Sequence, residues 1–379
     1  MQNSSAIAND GQSGQALSRF AMVYDYRCAR CSVKKCMLVF SFLGCLLVAP
    51  VAWAQGVLVG VNVTNNDGYL SEAFQDDEMK HLAENGVKTV RVGLVAYNID
   101  FIIKAYQHDI SSVVIVFPFR GTKTWSDVKL SQITAQEFTE KFKPLLDKLE
   151  TAGVRLAAFE LGNEINTARF NGDLPDPGSG RELRLADLDN SNDPEGQAVA
   201  KGYRAYVQVM ATLKDLRDHS KLNQHTPIIS AGLAQKLGGK QDEVNLLDAI
   251  EFFRQNGMDK LVDGFGIHVY PSADLKRLES ARIASLDEGM CAACRQGGKP
   301  CWVTEWGFGN ADESCPVKDG TRLKLNQDMR SVFQHFANLG LLGALIYYDW
   351  TGAAGKNDSW GVFRCGALTD AGKLALKPM

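Results

Sequence analysis

The sequence lacks a marked excess of charge of either sign. Its 379 residues include 41 lysines and arginines and 44 aspartates and glutamates, which gives a formal net charge of −3 at pH 7. Proteins that bind nucleic acids or anionic membranes usually carry a basic patch or a strongly positive net charge. The composition therefore argues against a nucleic-acid partner, and we expect a neutral ligand.

The sequence also lacks the motifs that bind common cofactors. No Gly-x-Gly-x-x-Gly follows the first predicted strand, and no glycine-rich phosphate loop precedes a predicted helix. His268 is the only histidine at a predicted strand end, and no lysine stands at such an end to form a Schiff base. We expect chemistry that needs neither a metal nor an organic cofactor, and an aldolase or lyase is disfavoured.

An export signal is predicted near the amino end. The apolar segment 37–49 follows basic residues and precedes Ala52-Trp53-Ala54, a pattern typical of signal peptides that are cleaved after Ala54. We assign residues 37–54 to the apolar region and cleavage site of this signal, and residues 1–36 to a disordered or untranslated extension with the basic n-region. A start at Met22 would give a normal signal and leave residues 1–21 untranslated. An uncleaved membrane anchor is the alternative. We expect a secreted or periplasmic protein without stable membrane insertion after cleavage.

Few cysteines remain after the predicted cleavage site: Cys291, Cys294, Cys301, Cys315 and Cys365. Cys291 and Cys294 have the spacing of half a zinc site, but the other half is missing. Disulfide bonds are the favoured interpretation in an exported protein. Because the number is odd, one thiol stays unpaired or pairs between chains, and the sequence leaves the connectivity open.

From residue 55 onward, short β-like runs alternate with amphipathic helical stretches. Eight strand–helix units predict an α/β fold, a single-domain (β/α)8 TIM barrel over residues 55–379. A doubly wound open sheet is the alternative, and the missing glycine motif disfavours it. The predicted strands are 57–63, 87–94, 112–117, 155–161, 227–232, 264–270, 301–305 and 342–349.

Several local signals place the helices and loops between these strands. Thr134 and Glu137 form a capping box, and Asp193-Pro194 suits the N-cap and the first position of a long helix. Pro144 should kink its helix, and a further helix is expected from about Ser272. The long stretch after Glu164 reads as a structureless loop, which is typical of the wall or lid of a functional cleft.

Polar residues stand at or near the predicted carboxyl ends of five strands. In a (β/α)8 barrel these ends meet on one face, where active sites lie. A single glutamate near a loop is usually a helix cap or a solvated charge, and a single histidine usually has an ordinary hydrogen-bond partner. The placement of several such residues on one face is what indicates a site. The candidates are Arg91, Asn163, Glu164, His268, Tyr270, Glu305 and Trp350.

Glu164 and Glu305 suit the cleavage of a glycosidic bond. That reaction needs one carboxyl group to protonate the leaving oxygen and another to attack or stabilise the oxocarbenium-like centre. Arg91 and Tyr270 would keep Glu305 ionised, whereas burial and a neighbouring charge would raise the pKa of Glu164. We therefore predict Glu164 as the general acid/base and Glu305 as the nucleophile.

Three short stretches carry a resemblance to a known group of enzymes: Gly162-Asn163-Glu164, His268-x-Tyr270 and Thr304-Glu305-Trp306-Gly307. In this order, they resemble the retaining β-glycosidases and endo-glycanases of glycoside hydrolase clan A, most of all families 5 and 39. Ile165 stands where the clan often has proline.

The resemblance also implies roles for the remaining candidates. Asn163 would bond the sugar 2-hydroxyl, and Arg91 and Tyr270 would orient the nucleophile. His268 would line the cleft, and Trp350 would stack under the sugar. The resemblance implies a β-linked poly- or oligosaccharide as the partner, and we expect a monomer.

A barrel that binds glycans without cutting them, in support of envelope polysaccharide handling, is the competing hypothesis. A pure binding protein has no need for a clustered pair of carboxylates, which favours the hydrolase. Trp125, Trp306 and Trp360 are candidates for further sugar platforms, and a place in the core is the alternative for Trp306 and Trp360. Sugar, linkage and endo or exo action are not readable from the sequence.

Overall fold

A computed structural model of the protein describes residues 56–63, 72–117, 129–235, 241–270, 298–351 and 359–379. Ala54–Met379 forms one compact unit. Across the described ranges, none of the helices has the length and apolar character that a membrane crossing requires. The predicted extension and signal before Ala54, the helix expected from about Ser272, and Trp125 lie outside the described residues.

Eight parallel strands form the barrel, in the order β5-β4-β3-β2-β1-β8-β7-β6. Single bridges from Ile229 to Gly264 and from Leu233 to Ile267 join β5 to β6 and close the ring. The predicted (β/α)8 fold is confirmed. The strands are β1 (Leu58–Asn62), β2 (Thr89–Gly93), β3 (Ser111–Val116), β4 (Ala158–Asn163), β5 (Ile228–Gly232), β6 (Phe265–Val269), β7 (Cys301–Trp306) and β8 (Leu342–Tyr347).

Helices surround these strands, and their apolar faces are buried against the sheet. Thr134 caps α3 by accepting a hydrogen bond from the Glu137 amide, and Asp193 caps α5 by accepting one from the Gly196 amide, as predicted. Pro144 lies inside α3, which continues beyond it. The helices are α1 (Glu72–Glu84), α2 (Ile99–Gln107), α3 (Ala135–Thr151), α4 (Leu185–Asp189), α5 (Pro194–Asp218), α6 (Leu246–Gln255), α7 (Gly320–Asn338) and α8 (Asp370–Ala375).

Two buried apolar clusters account for the core. The larger contains outward-facing strand residues such as Phe159 and Leu161 together with the inner faces of the helices. The smaller consists of inward-facing strand residues, all but Ile346 from the amino halves of their strands, which fill the barrel as such layers do in this fold. Its members are Val113, Ala158, Ile229, Trp302, Ala344 and Ile346. The polar strand residues therefore lie above a packed floor.

Two local predictions were wrong. Strand β4 spans Ala158–Asn163 rather than 155–161, because backbone pairing with β5 continues through Asn163 after the apolar pattern has ended. The stretch after Glu164 is not structureless: it contains α4 and a short strand, Glu182–Leu183, that pairs in parallel with Glu243–Val244. Elements this short leave no readable periodicity in a sequence.

A disulfide bond joins Cys315 to Cys365 across 50 residues of chain. The expectation that the cysteines form disulfide bonds is confirmed for this pair, whose pairing the sequence had left open. Cys301 lies buried on β7. Cys291 and Cys294 lie outside the described residues, so the zinc and disulfide alternatives for that pair stay open.

Candidate active site

Six of the seven predicted site residues converge at the carboxyl ends of the strands. Arg91 extends from β2, Asn163 and Glu164 from the end of β4, His268 and Tyr270 from the end of β6, and Glu305 from β7. Direct hydrogen bonds, together with a 3.4 Å ion-pair contact between His268 and Glu305, connect these six side chains into one network. The joint placement that the sequence indicated is therefore present in three dimensions.

Arg91 is the centre of this network and is fully buried. Its Nη1 donates to Glu305 Oε1 at 2.6 Å and to Asn62 Oδ1 at 2.8 Å, and its Nη2 donates to Asn163 Oδ1 at 2.9 Å. Burial lowers the pKa of Arg91, but the charges of Glu160 and Glu305 raise it by more, so its pKa is higher than usual. Arg91 is therefore a permanent cation beside the expected nucleophile.

Glu305 receives donors on both carboxylate oxygens. The Tyr270 hydroxyl donates to Oε2, while Arg91 holds Oε1. Burial, followed by the Glu305 charge, raises the pKa of Tyr270 well above its ordinary value, so the hydroxyl keeps its proton and remains a donor. Charge-assisted hydrogen bonds of this kind are short and directional. Both carboxylate oxygens of Glu305 are thus held at defined positions.

The backbone at the end of β4 turns Asn163 and Glu164 into the site. Phe159 and Leu161 face the outer core, and strict alternation would direct Asn163 outward as well. Gly162, with φ +85°, breaks the alternation, and Glu164 itself has φ 42°, in the left-handed region that non-glycine residues rarely occupy. Such outliers concentrate at functional sites. The Glu164 amide donates to the Gly232 carbonyl at 2.8 Å, which holds this conformation.

Glu164 lies against His268. His268 Nδ1 is 2.8 Å from Glu164 Oε1 and 3.4 Å from Glu305 Oε2. Burial raises the pKa of Glu164, but the hydrogen bond and charge of His268 lower it by more, so its pKa lies below the ordinary value of 4.5. The rise expected from the sequence is thus reversed, because His268 contacts Glu164 directly instead of only lining the cleft.

The pKa of His268 shifts in the opposite direction. Burial lowers it, while Glu305 and Glu164 raise it above its ordinary value of 6.5. Its Nε2 atom is buried and has no hydrogen-bond partner among the described residues. A Cβ atom on Gly232 would lie 2.1 Å from this nitrogen, so only glycine leaves room for the ring. Gly232 therefore allows His268 to reach both carboxylates.

Glu164, His268 and Glu305 each offer one donor atom, and these atoms lie within 4.8 Å of one another. Such a set resembles a metal site, although a metal-bound imidazole normally donates from its second nitrogen to an acceptor. His268 Nε2 makes no such bond to a described residue, and Arg91 adds positive charge beside the set. The arrangement fits a shared proton better than a cation.

Trp350 does not reach this site. Its side chain is 0% exposed and stacks on Phe363, with ring centroids 4.8 Å apart. The stacking under a sugar that the resemblance implied does not fit a ring enclosed in the core. Trp306 is also 0% exposed and packs against Phe333 and Tyr347, so it is a core residue.

Two other aromatic residues stand where a platform was expected. Trp360 and Tyr348 are half-buried, and each presents its ring edge-on to Tyr270, at centroid distances of 5.3 and 6.0 Å. The sequence indicated Trp360 only as one of two alternatives and gave no indication of Tyr348. They flank the residue that holds Glu305.

Sequence reasoning also missed three buried polar residues beneath the site: Asn62, Glu160 and Thr304. Asn62 accepts from Arg91, and Thr304 donates to Glu160 at 2.9 Å. Glu160 accepts from Arg91 Nε at 2.5 Å and from Arg91 Nη2 at 2.9 Å. The sequence offered one signal for this layer: Glu160 lies inside an apolar strand, and a carboxylate is rarely buried without a partner.

This chain is similar to known proteins in fold rather than in sequence. No protein-family model matches it, and no curated protein matches it in sequence. Solved structures of TIM-barrel glycosidases do match. Fungal β-1,4-galactanases match with a TM-score of 0.51 at 15% identity, over 84% of this chain and 93% of theirs.

Two further structures give the same result. ZgEngAGH5_4 in complex with a cellotriose matches with a TM-score of 0.52 at 15% identity, over 84% of this chain and 94% of that one. The β-glycosidase BGL167 matches with a TM-score of 0.50 at 12% identity, over 84% and 95%. At these identities the likeness establishes the shared (β/α)8 fold.

Proposed function

We propose that this protein is a retaining glycoside hydrolase that cleaves β-glycosidic bonds in a poly- or oligosaccharide. The observation that carries the proposal is the spacing of the two glutamates: an oxygen of Glu164 and an oxygen of Glu305 lie within 4.8 Å of each other. Retaining enzymes hold their carboxyl groups about 5–5.5 Å apart, whereas inverting enzymes leave roughly 6.5–9.5 Å for a water molecule.

In the first step, Glu305 attacks the anomeric carbon while the bond to the leaving oxygen breaks. Glu164 transfers a proton to that oxygen, and a covalent glycosyl ester forms on Glu305. In the second step, Glu164 takes a proton from water, the water oxygen attacks the anomeric carbon, and Glu305 is released as a carboxylate. Two inversions leave the configuration of the anomeric carbon unchanged.

The proton for the first step is shared between Glu164 and His268. When the imidazole is protonated and Glu164 is ionised, transfer along their 2.8 Å hydrogen bond produces a neutral imidazole and a protonated Glu164. This transfer supplies the acid although the pKa of Glu164 itself is low. His268 thereby sets the pH range in which Glu164 acts as an acid.

The half-buried side chains at the site, Asn163, Trp360 and Tyr348, are the groups that we expect to contact the substrate. Asn163 is half-buried and its Oδ1 accepts from Arg91, so its amide NH2 is available to a sugar hydroxyl. Trp360 and Tyr348 can receive the apolar face of a pyranose ring. The similarity to fungal β-1,4-galactanases and to ZgEngAGH5_4 in complex with a cellotriose supports a β-linked glycan. We further propose a secreted or periplasmic location and a monomeric state.

Aryl β-glycosides and a panel of β-glucans, mannans, xylans and galactans, with sizing of the products, test this proposal. Glu164→Gln should lower kcat about 10²–10⁴-fold, Glu305→Gln should abolish turnover, and Glu140→Gln, an exposed carboxylate on α3, should leave it unchanged. Glycan binding without hydrolysis across the panel would support the binding-protein alternative and overturn the enzyme.

Azide separates the two roles. In Glu164→Ala, azide can attack the glycosyl ester without base assistance, so turnover should recover and yield the β-glycosyl azide. In Glu305→Ala, azide replaces the missing nucleophile on the opposite face and should yield the α-glycosyl azide. Exchange of these products between the variants would mean that the roles are reversed.

A further inference from the structure

Glu160 is a buried carboxylate that takes no part in the two steps above. It lies on β4 four residues before Glu164, and it is 0% exposed. Its Oε1 accepts from Arg91 Nη2, from the Gly232 amide and from the Thr304 hydroxyl, each at 2.9 Å, and its Oε2 accepts from Arg91 Nε at 2.5 Å. Burial of such a charge is costly unless partners of this number and quality are present.

These contacts determine the orientation of the Arg91 guanidinium. A planar guanidinium bound through Nε and Nη2 by one carboxylate cannot rotate without breaking both bonds. Nη1 is then directed at Glu305 and Asn62, and the second hydrogen of Nη2 at Asn163. Glu160 thus determines the positions of the nucleophile and of the proposed sugar-binding amide through a single side chain, without reaching the cleft.

The charge of Glu160 matters as well as its geometry. If Arg91 paired with Glu305 alone, its full positive charge would act on the Glu305 carboxylate and lower the nucleophilicity of that group. With Glu160 on the other edge, the positive charge is shared between two carboxylates. Glu305 therefore remains positioned by Arg91 while losing less of its nucleophilic character.

We propose that Glu160 is a positioning residue of the hydrolytic reaction: it orients Arg91 toward Glu305 and Asn163 and offsets part of the Arg91 charge. The proposal rests on the proposed function for its kinetic consequence. Its structural part, the immobilisation of Arg91, stands on the contacts alone.

Glu160→Gln is the sharpest variant. If the amide oxygen takes the place of Oε1, it keeps the three hydrogen bonds that Oε1 accepts. The amide NH2 then takes the place of Oε2 and faces the Arg91 Nε–H, so two donors meet and the fourth hydrogen bond is lost. We expect kcat on an aryl β-glycoside to fall about 100-fold, the loss that a displacement of about 1 Å in an active site can cause. KM should change little, because Glu160 does not touch the substrate.

Two further variants are compared with Glu160→Gln: Thr304→Val perturbs Glu160 more mildly, and Glu150→Gln is the control. Thr304→Val removes one hydrogen bond from Glu160 and leaves its charge, so a smaller fall in kcat with the wild-type pH profile is expected. Glu150 accepts hydrogen bonds from the amides of Lys221, Leu222 and Asn223, at the amino end of β5 and away from the cleft. Glu150→Gln therefore loses a half-buried, hydrogen-bonded carboxylate outside the site and should keep the wild-type kcat.

A second measurement keeps the inference testable if the wild-type protein hydrolyses nothing. In ¹⁵N-labelled protein, the Arg91 Nε–H signal should exchange slowly with water in the wild type and in Glu150→Gln, and quickly in Glu160→Gln. An inactive wild type with this pattern would overturn the proposed function and support the immobilisation of Arg91. Full kcat in folded Glu160→Gln, or an unchanged Arg91 signal, would overturn the role of Glu160.

Discussion

His268 and Glu164 share one hydrogen bond, 2.8 Å long, and their pKa values move in opposite directions: the Glu305 charge and the bond to Glu164 raise the pKa of His268 against burial, while the bond and charge of His268 lower the pKa of Glu164 against burial. His268 extends from β6 and Glu164 follows β4, so the pair exists only when the barrel is closed. Glu305 on β7 and Arg91 on β2 also face His268 and influence its charge.

This pair makes stability depend on pH. The pKa of His268 is raised in the folded state, so its contribution is complete below its ordinary value of 6.5 and is lost as the pH rises through the folded value. The pKa of Glu164 is lowered, so its contribution is present above 4.5 and is lost as the pH falls through the folded value. Both contributions are complete between pH 4.5 and 6.5, so the Tm difference between wild type and His268→Asn should be largest in that range.

Thermal unfolding from pH 4 to 9, in steps of about one unit, measures this difference. His219→Asn is the control, since His219 is exposed on the outer surface and its side chain is 79% accessible. A Tm difference for His268→Asn that does not decrease above neutral pH would contradict the prediction.

Gly162→Ala should affect both stability and activity. A Cβ atom at this position, where φ is +85°, would lie 3.1 Å from Ile165 Cγ2 and 3.5 Å from Ala231 Cβ. The left-handed conformation costs about 1–2 kcal/mol with any side chain, and relief of the contact should displace Asn163 and Glu164. We expect kcat to fall at least about tenfold.

Gly153→Ala provides the matched comparison for that variant. Gly153 follows α3 with φ +81°, and a Cβ atom there would meet nothing within 4 Å. Urea unfolding should show a similar loss of stability, about 1–2 kcal/mol, with kcat unchanged. Equal kcat values for the two alanine variants would show that Gly162 does not position the site.

Tyr270→Phe removes one of the two donors that hold Glu305. The side-chain volume is kept and the hydrogen bond to Oε2 is lost, so kcat should fall about 10–100-fold, the usual effect of losing a supporting hydrogen bond in an active site. Tyr203→Phe is the control, because the Tyr203 hydroxyl is buried and has no hydrogen-bond partner among the described residues. Steady-state kinetics of the two variants on one aryl β-glycoside distinguish them, and equal kcat values would count against the role of Tyr270.

Trp360→Ala should weaken substrate binding, whereas Trp350→Ala should lower the stability of the fold. Trp360 is half-buried beside Tyr270, so its loss should raise KM for an oligosaccharide about tenfold, which corresponds to about 1.4 kcal/mol of binding, and leave Tm nearly unchanged. Trp350 is enclosed, so its loss should cost about 3–5 kcal/mol of stability. Kinetics together with thermal unfolding separate these results. An increase in KM for folded Trp350→Ala alone would restore the platform role implied by the resemblance.

Cys365→Ser should lower stability without changing the site. The bond to Cys315 closes a loop of 50 residues, and the chain-entropy model gives about 4 kcal/mol for a loop of this size. Cys315→Ser and the double variant should show the same decrease in Tm as Cys365→Ser, since all three lose one bond. Additive decreases in the double variant would show that the two thiols do not form the disulfide.

Periodicity and strand-end chemistry allowed much of this architecture to be predicted. Alternation of β-like and helical runs predicts eight units, because apolar faces must be buried and each element has its own period. Glu164 and Glu305 could be chosen because carboxylates that end apolar runs meet at one face of a barrel. The end of β4 was placed too early, because hydrogen bonds between strands continue where the apolar pattern stops.

The sequence by itself determined the barrel and the set of polar residues at its rim, because both follow from local patterns that repeat along the chain. Only the tertiary structure decided what each residue touches. His268 lowers the pKa of Glu164, Glu160 orients Arg91, and Trp350 lies in the core while Trp360 stands beside Tyr270. These relationships depend on distances of a few ångströms between separate strands and loops, which arise when the ring closes.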